Sequence, residues 1–238
     1  FVRVDDRGRV RSAEPQTPLT DLAVRSARRS GVTGKVRINL AESPEQCLLY
    51  AGELLKAFLE QAGIPVTGEV KRADQDPAGF PEFYVHRSEW NLVELLEKMF
   101  RYSNNFMANQ IFLTLGALRF GPPATAEKAR RAVEAFLKRV GVNDLHVEEG
   151  AGLSRRTRIT ARQMMRVLDR FQPHRRLLPC EGRVCAKTGT LHDVQSLAGY
   201  LRPKHGEPVS FVILLNGDGI GGRKRERILS LLEQGLAR

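Results

Sequence analysis

The sequence is poor in the residues that most often announce a site. It holds three cysteines, five histidines and one tryptophan among 238 residues. No set of Cys and His supplies the four ligands of a structural zinc, so no metal site is expected. His86, His146, His174, His192 and His205 are scattered, and no Gly-x-Ser-x-Gly elbow exists. A Ser-His-Asp hydrolase is therefore excluded as the leading reading. No apolar run approaches the roughly 20 residues of a membrane-spanning helix. Internal repeats and low-complexity segments are also lacking. The run Gly217-Asp218-Gly219-Ile220-Gly221-Gly222 fits a dinucleotide fingerprint formally, but only one helix follows before Arg238. A turn is the better reading, and no cofactor is expected.

What is present is a globular composition, 42% hydrophobic, in a chain long enough for one large domain or two small ones. The formal charge is +11, with Arg-rich clusters at Arg25-Ser26-Ala27-Arg28-Arg29 and Arg223-Lys224-Arg225. Aromatic residues are not interleaved with them as stacking platforms, and no helix-turn-helix or zinc-finger pattern appears, so no nucleic-acid partner is expected. A solvated basic surface remains, compatible with peripheral attraction to an anionic membrane or cell envelope. The chain opens at Phe1, without a Met or an apolar leader, and is expected to begin inside a longer sequence. Cys180 and Cys185 bracket four residues; they read either as free thiols or as a disulfide contributing about 2 kcal/mol.

Val2-Arg3-Val4 and Lys35-Val36-Arg37-Ile38 read as short strands. Ser43-Pro44-Glu45-Gln46 opens a helix, with Ser43 as N-cap and Gln46 completing a capping box. Leu48, Leu49, Ala51, Leu55, Phe58 and Leu59 follow at helical spacing, and Gly63 ends it. The stretch from Gly68 to Pro81 reads as a crossing between subdomains. Helices are expected at about 89–101, with Trp90, Val93, Leu96 and Phe100 on one face, at 104–118 and at 126–140. Another is opened by the Thr160–Gln163 capping box and stops before Pro173. Strands at 184–188, 196–201 and 209–215 then form an antiparallel meander. A final helix at about 223–236 is expected to lay Ile228, Leu231, Leu232 and Leu236 on it. This is an α+β layout.

Two constellations carry chemistry. Lys187-Thr188-Gly189-Thr190 ends a strand with a cation, two hydroxyls and a glycine that admits close approach to the backbone. Such an edge binds an extended peptide as an added strand. Ser103-Asn104-Asn105 sits where one helix breaks and another begins. Alone, Ser103 reads as an N-cap and the Asn pair as turn chemistry. Together, Ser-x-Asn followed by Lys-Thr-Gly resembles the second and third motifs of the penicillin-recognising serine peptidases.

The likeness extends along the chain. Tyr102 to Gln110 resembles the Ser-Asp-Asn helix of the D-alanyl-D-alanine carboxypeptidases of the peptidase S13 group, the class C low-molecular-weight penicillin-binding proteins. Glu149 to Arg155 is similar to their Asp-Gly-Ser-Gly-Leu-Ser-Arg loop. Lys187 to Leu191, Leu197 to Tyr200 and Val209 to Gly217 resemble their third-motif strand and its neighbours, and Arg37-Ile38-Asn39-Leu40 resembles the region before the second motif. The resemblance implies a penicillin-binding-protein or β-lactamase-like fold, a helical lobe with a helix-flanked antiparallel sheet. Residues 73–238 would form the C-terminal part of that domain, and residues 1–72 the remainder of an inserted accessory domain. It also implies an acyl-enzyme mechanism on peptidoglycan muropeptides, with β-lactams as inhibitors, no cofactor, and a periplasmic or extracytoplasmic location.

By position, Ser103 would relay a proton to the leaving amine and Asn105 would hold the substrate amide. Lys187 would supply positive charge, Thr188 and Thr190 would bind the terminal carboxylate beside Gly189, and the Thr190 N–H would serve the oxyanion. The family's nucleophile motif, Ser-x-x-Lys, is missing: none of the serines has Lys three residues on. Thr125-Ala126-Glu127-Lys128 reads instead as a helix cap. Asn104 replaces the usual Asp, and Glu149 and Ala151 depart from the glycine loop. The isolated chain is therefore expected to be inactive, with the nucleophile upstream. The rival reading is a homologue that binds peptidoglycan without chemistry.

Overall fold

A computed structural model describes residues 2–13, 16–36, 38, 43–73, 81 and 84–235. The chain divides into two compact units, Phe1–Val85 and His86–Arg238. The expected domain boundary at 72/73 lies within the first unit, near its end.

In the first unit, β1 (Val2–Val4) is the centre of a three-stranded antiparallel sheet between β2 (Val10–Ser12) and β3 (Gly34–Val36). Helix α1 (Asp21–Ser30) lays Ala23 and Ala27 against Val2 and Val4. Thr20 caps it through Ala23 N–H, and Gly31 ends it at φ 62°, a left-handed backbone that glycine adopts without a Cβ penalty. In the sequence this segment shows only a basic cluster, because its buried face is made of alanines rather than large apolar residues. Helix α2 (Pro44–Gln61) is capped by Ser43 as expected. Its Leu48, Leu55 and Phe58 are exposed. The Glu53 carboxylate accepts from Leu22 N–H at 3.0 Å, tying α2 to α1. Arg37, Asn39 and Leu40, part of the quoted resemblance, lie outside the described residues.

The second unit begins with helices α3 (Leu92–Tyr102), α4 (Asn105–Phe120), α5 (Ala126–Arg139) and α6 (Ala161–Phe171), followed by a 3-10 segment (Gln172–Leu177). Asn91 and Glu94 form a capping box that starts α3 later than expected, and Trp90 and Val93 are exposed. Phe100 is the anchor instead, edge-on to Phe171 at 5.8 Å. Helices α4 and α5 meet at Gly116, where an added Cβ would lie 2.8 Å from Ala129 Cα. The expected caps Thr125 and Thr160 are both made, the latter as a full capping box.

The sheet of this unit is antiparallel in the order β4 (Cys180–Glu181), β5 (Val184–Leu191), β6 (Val194–Leu201), β7 (Val209–Asn216). Strand side chains alternate between faces. Val184, Ala186, Leu197, Leu201, Phe211 and Ile213 form a core on one face, covered by Ile228 and Leu229 of α7 (Gly222–Gly235). Leu231 and Leu232, expected on the sheet, are exposed, and Leu236 lies outside the described residues. The opposite face, with Cys185, Ala198, Tyr200 and Val212, packs on Phe100, Leu168 and Phe171. The α+β layout and the helix-flanked meander are as expected. Cys180 and Cys185 face each other in register and form a disulfide, which settles the choice left open above.

Candidate active site

Ser103 and Asn104 do different jobs at the break between two helices. Ser103 ends α3 with φ 49° and ψ 48°, a left-handed conformation rare for a residue with a Cβ. Asn104 starts α4, its side-chain oxygen accepting Met107 N–H at 2.9 Å. The cap expected at Ser103 is thus made by Asn104. That frees the Ser103 hydroxyl, and Asp or Asn would serve equally at position 104.

The freed hydroxyl meets Lys187. The Lys187 Nζ donates to Ser103 Oγ at 2.5 Å and to the Thr188 carbonyl at 2.8 Å, with Thr188 Oγ1 at 3.4 Å. Burial pushes the Lys187 pKa below its ordinary value, and the nearby Arg225 charge pushes it the same way. Alternation puts Lys187 and Gly189 on the helical side of β5, while Thr188 and Thr190 share the α7 side with Ala186. β4 pairs only with Val184 and Cys185, so the outer edge of β5 has no strand partner from Lys187 to Leu191 among the described residues. Thr188 and Thr190 are exposed on that edge. Asn105 is half-buried at the start of α4, and its amide makes no hydrogen bond among the described residues.

The glycine loop joins α4 to this edge. The Glu149 carboxylate accepts from the N–H groups of Ala151, Leu153 and Ser154 at 2.6, 2.7 and 3.1 Å. Glu149 therefore folds the loop on itself. Gly150 N–H donates to Asn109 Oδ1 at 2.8 Å, and a Cβ on Gly150 would meet Phe112 Cβ at 2.7 Å, so the loop lies directly on α4. Its far end is held by an Arg155–Asp193 ion pair, which ties it to the β5–β6 turn and holds the Asp193 carboxyl below its usual pKa. Upstream, Glu148 accepts from His146, Arg130 and Arg156.

The residues missed in the sequence are Gln195 and Arg225. Gln195 is buried on the α7 face, where its Oε1 accepts from both Thr190 Oγ1 and Arg225 Nη1. The β5–β6 register could have flagged Gln195, which lies directly opposite Thr190. Nothing in the primary sequence links Arg225 to that pair.

The profile of the D-Ala-D-Ala carboxypeptidase 3 (S13) family matches residues 2–178 and 169–236, and the chain belongs to this family. It is similar to the D-alanyl-D-alanine carboxypeptidase DacB of Haemophilus influenzae, 27% identical over 198 residues, 72% of this chain and 41% of the relative. It is also similar to a D-alanyl-D-alanine carboxypeptidase of an Actinomadura species, 29% identical over 200 residues, 70% of this chain and 36% of the relative. The chain thus spans well under half the length of both curated relatives. Among solved structures it resembles penicillin binding protein 4 (dacB) from Haemophilus influenzae complexed with a β-lactam. That likeness has a TM-score of 0.62 and 22% identity over 98% of this chain and 58% of that one. A second structure of the same protein matches with TM-score 0.62 and 23% identity, over 92% of this chain and 51% of that one. At these identities the likeness establishes the shared fold.

Proposed function

We propose that this chain carries the substrate-binding and proton-relay parts of a serine-type D-Ala-D-Ala carboxypeptidase site, which β-lactams would also occupy. One observation carries the reading: Lys187 Nζ lies 2.5 Å from Ser103 Oγ, across 84 positions of sequence. A short Ser–Lys hydrogen bond at the mouth of an unpaired strand edge suits proton delivery to a leaving amine.

The peptide substrate adds as a strand along Lys187–Thr190, and Gly189 leaves room for its backbone. Lys187 offers positive charge and polarises Ser103, and its depressed pKa eases exchange of a proton with the hydroxyl. Asn105, free of internal hydrogen bonds among the described residues, holds the substrate amide. Thr188 and Thr190 bind the terminal carboxylate, and the Thr190 N–H stabilises the oxyanion, a role worth about 3–4 kcal/mol. The acyl-enzyme bond forms on a serine outside residues 1–238, because no Ser-x-x-Lys occurs here. In this reading residues 73–238 belong to the transpeptidase-like domain and residues 1–72 to an accessory one. The site works outside the cytoplasm on peptidoglycan stem peptides, and cleavage of cross-links as well as terminal residues is compatible with the open edge.

The test is labelling by a fluorescent penicillin. The full-length protein should be acylated, Lys187→Ala should lose the label at least about 100-fold in rate, and residues 1–238 alone should not label. Unchanged acylation in Lys187→Ala would remove Lys187 from the mechanism. A full-length protein without Ser-x-x-Lys that binds muropeptides but never labels would favour the non-catalytic reading.

A further inference from the structure

His146 stands between two carboxylates. Its Nδ1 lies 3.2 Å from Glu134 Oε1 on α5, and its Nε2 lies 3.0 Å from Glu148 Oε2, at the entrance to the glycine loop. A neutral imidazole has one N–H and one lone pair, so it donates to one carboxylate and turns a lone pair towards the other. An imidazolium has two N–H groups and satisfies both. The geometry is therefore that of the charged ring, and losing a proton breaks one of the two contacts. The ring is exposed, so it exchanges protons with solvent.

Glu148 is also held by its surroundings. Its Oε1 accepts from Arg130 Nη1 of α5 at 3.4 Å and from Arg156 Nη2, just past the loop, at 2.6 Å, and its N–H donates to Thr157 Oγ1 at 3.1 Å. The His146 hydrogen bond, with the Arg156 and Arg130 charges, holds the Glu148 carboxyl below its usual pKa, so it stays ionised while a histidine titrates. Glu134 accepts from Val147 N–H at 3.4 Å. From α6, Arg166 and Gln163 donate to the Gly141 and Asn143 carbonyls of the same segment. Glu148 and Arg156 are thus the two stems of the loop 149–155, and His146 ties that neck to α5. Within the loop, Gly150 N–H reaches Asn109, one turn after Asn105 on the same face of α4. At the far end Arg155 pairs with Asp193, in the turn after β5. The loop therefore touches both elements that carry the candidate site residues.

We propose that His146 is a positioning residue whose imidazolium, joined to Glu134 and Glu148, fastens the neck of the glycine loop to α5 and holds the loop against the Asn105 face of α4. The fastening is complete at acidic pH and loosens as the ring loses its charge with rising pH. For its effect on the reaction the inference rests on the acyl-transfer reading; the fastening itself is independent of it. His146 acts through the loop and not on the reacting atoms.

Hydrogen exchange in the full-length protein reads the neck and the loop through the Glu148 and Gly150 amides, as protection factors corrected for intrinsic rates. The measurement is made at about pH 5.5 and about pH 8.5, either side of the range in which histidine changes charge. Wild-type protection should be about threefold higher at the lower pH. His146→Gln, which donates to only one carboxylate, should show the lower value at both pH values. Glu134→Gln should show the higher value at both, because its amide donates to a neutral Nδ1 while Nε2–H keeps Glu148. Penicillin acylation rates, taken as ratios to wild type, should follow. His146→Gln should be about threefold slower at the lower pH and equal at the higher, and Glu134→Gln equal at the lower and about threefold faster at the higher. Wild-type protection that is the same at both pH values, or a His146→Gln loss that is equal at both, overturns the proposal. A protection step that leaves the acylation ratios flat also overturns it. The wild-type comparison needs no variant, so a misfolded variant leaves the test standing. If wild type takes no penicillin label, the acyl-transfer reading fails; the exchange step then decides the fastening alone, its presence sustaining it and its absence overturning it.

Discussion

Lys187 Nζ and Ser103 Oγ meet at 2.5 Å because Ser103 accepts a left-handed backbone while Asn104 takes over the capping of α4. That conformation costs a non-glycine residue about 1 kcal/mol or more. It is held by the Asn104 N–H, which donates to the Met99 carbonyl at 3.1 Å, and by the Asn104 side chain on Met107. Local strain thus aims one hydroxyl at a strand residue 84 positions away.

The Lys187 charge sets a pH limit. Burial, reinforced by Arg225, holds its pKa below the ordinary 10.5, so the ammonium should be lost at lower pH than in a free lysine. Affinity for carboxylate-bearing peptides and penicillins should fall on an alkaline limb with its midpoint below 10.5. Arg225→Gln should move that midpoint upward by removing the repulsion. A pH series of acylation rates at fixed ionic strength reads both.

Gly189 and Gly199 lie on neighbouring strands but should fail differently when changed to alanine. A methyl at Gly199 would sit 2.5 Å from Ala186 Cα and against the Cys185 carbonyl, with only backbone to move. Gly199→Ala should destabilise the sheet by about 1–3 kcal/mol in urea titrations. A methyl at Gly189 meets first the Ser196 hydroxyl, which can rotate. Gly189→Ala should therefore fold, yet lose penicillin acylation because the methyl stands at the substrate edge.

Tyr200 is buried between the sheet and α6, and its hydroxyl donates to the Leu168 carbonyl at 2.5 Å. Burial, with help from Asp169, pushes its pKa up to about 12 from 10.0. A raised folded-state value means the stabilisation is complete below pH 10 and is lost as pH rises through about 12. Tyr200→Phe should cost about 1–2 kcal/mol at neutral pH. It should also flatten the alkaline unfolding curve between those limits.

The Cys180–Cys185 disulfide closes a short loop beside the site. Replacing both residues by serine should lower stability by about 2 kcal/mol. The change should fall on the β4–β5 edge, where hydrogen exchange at Val184 and Cys185 should accelerate more than at the β6–β7 ladder.

Much of this was legible in the linear chain because the chemistry is local. Caps at Ser43, Thr125 and Thr160 depend on residues three positions apart, and the strand alternation of 184–191 depends on period two. The motifs Ser103–Asn105 and Lys187–Thr190 were visible as residue types in family order. Helix α1 was not, because alanines bury a face without writing an apolar stripe, and Leu231 and Leu232 misled because helical spacing does not say which stripe meets the sheet.

The sequence alone determined the helices, the meander and which side chains carry charge or hydroxyls, since propensity, capping and periodicity act over a few residues. Only tertiary structure decided that Ser103 and not Asn104 meets Lys187, that Glu149 folds the glycine loop, and that Arg225 stands behind Thr190 through Gln195. Ser103 and Lys187 lie 84 positions apart and Gln195 and Arg225 lie 30 apart. Only packing of α4, α7 and the sheet brings them within hydrogen-bonding distance, while the Glu149 and Thr190–Gln195 contacts are set by the turn and the strand register around them.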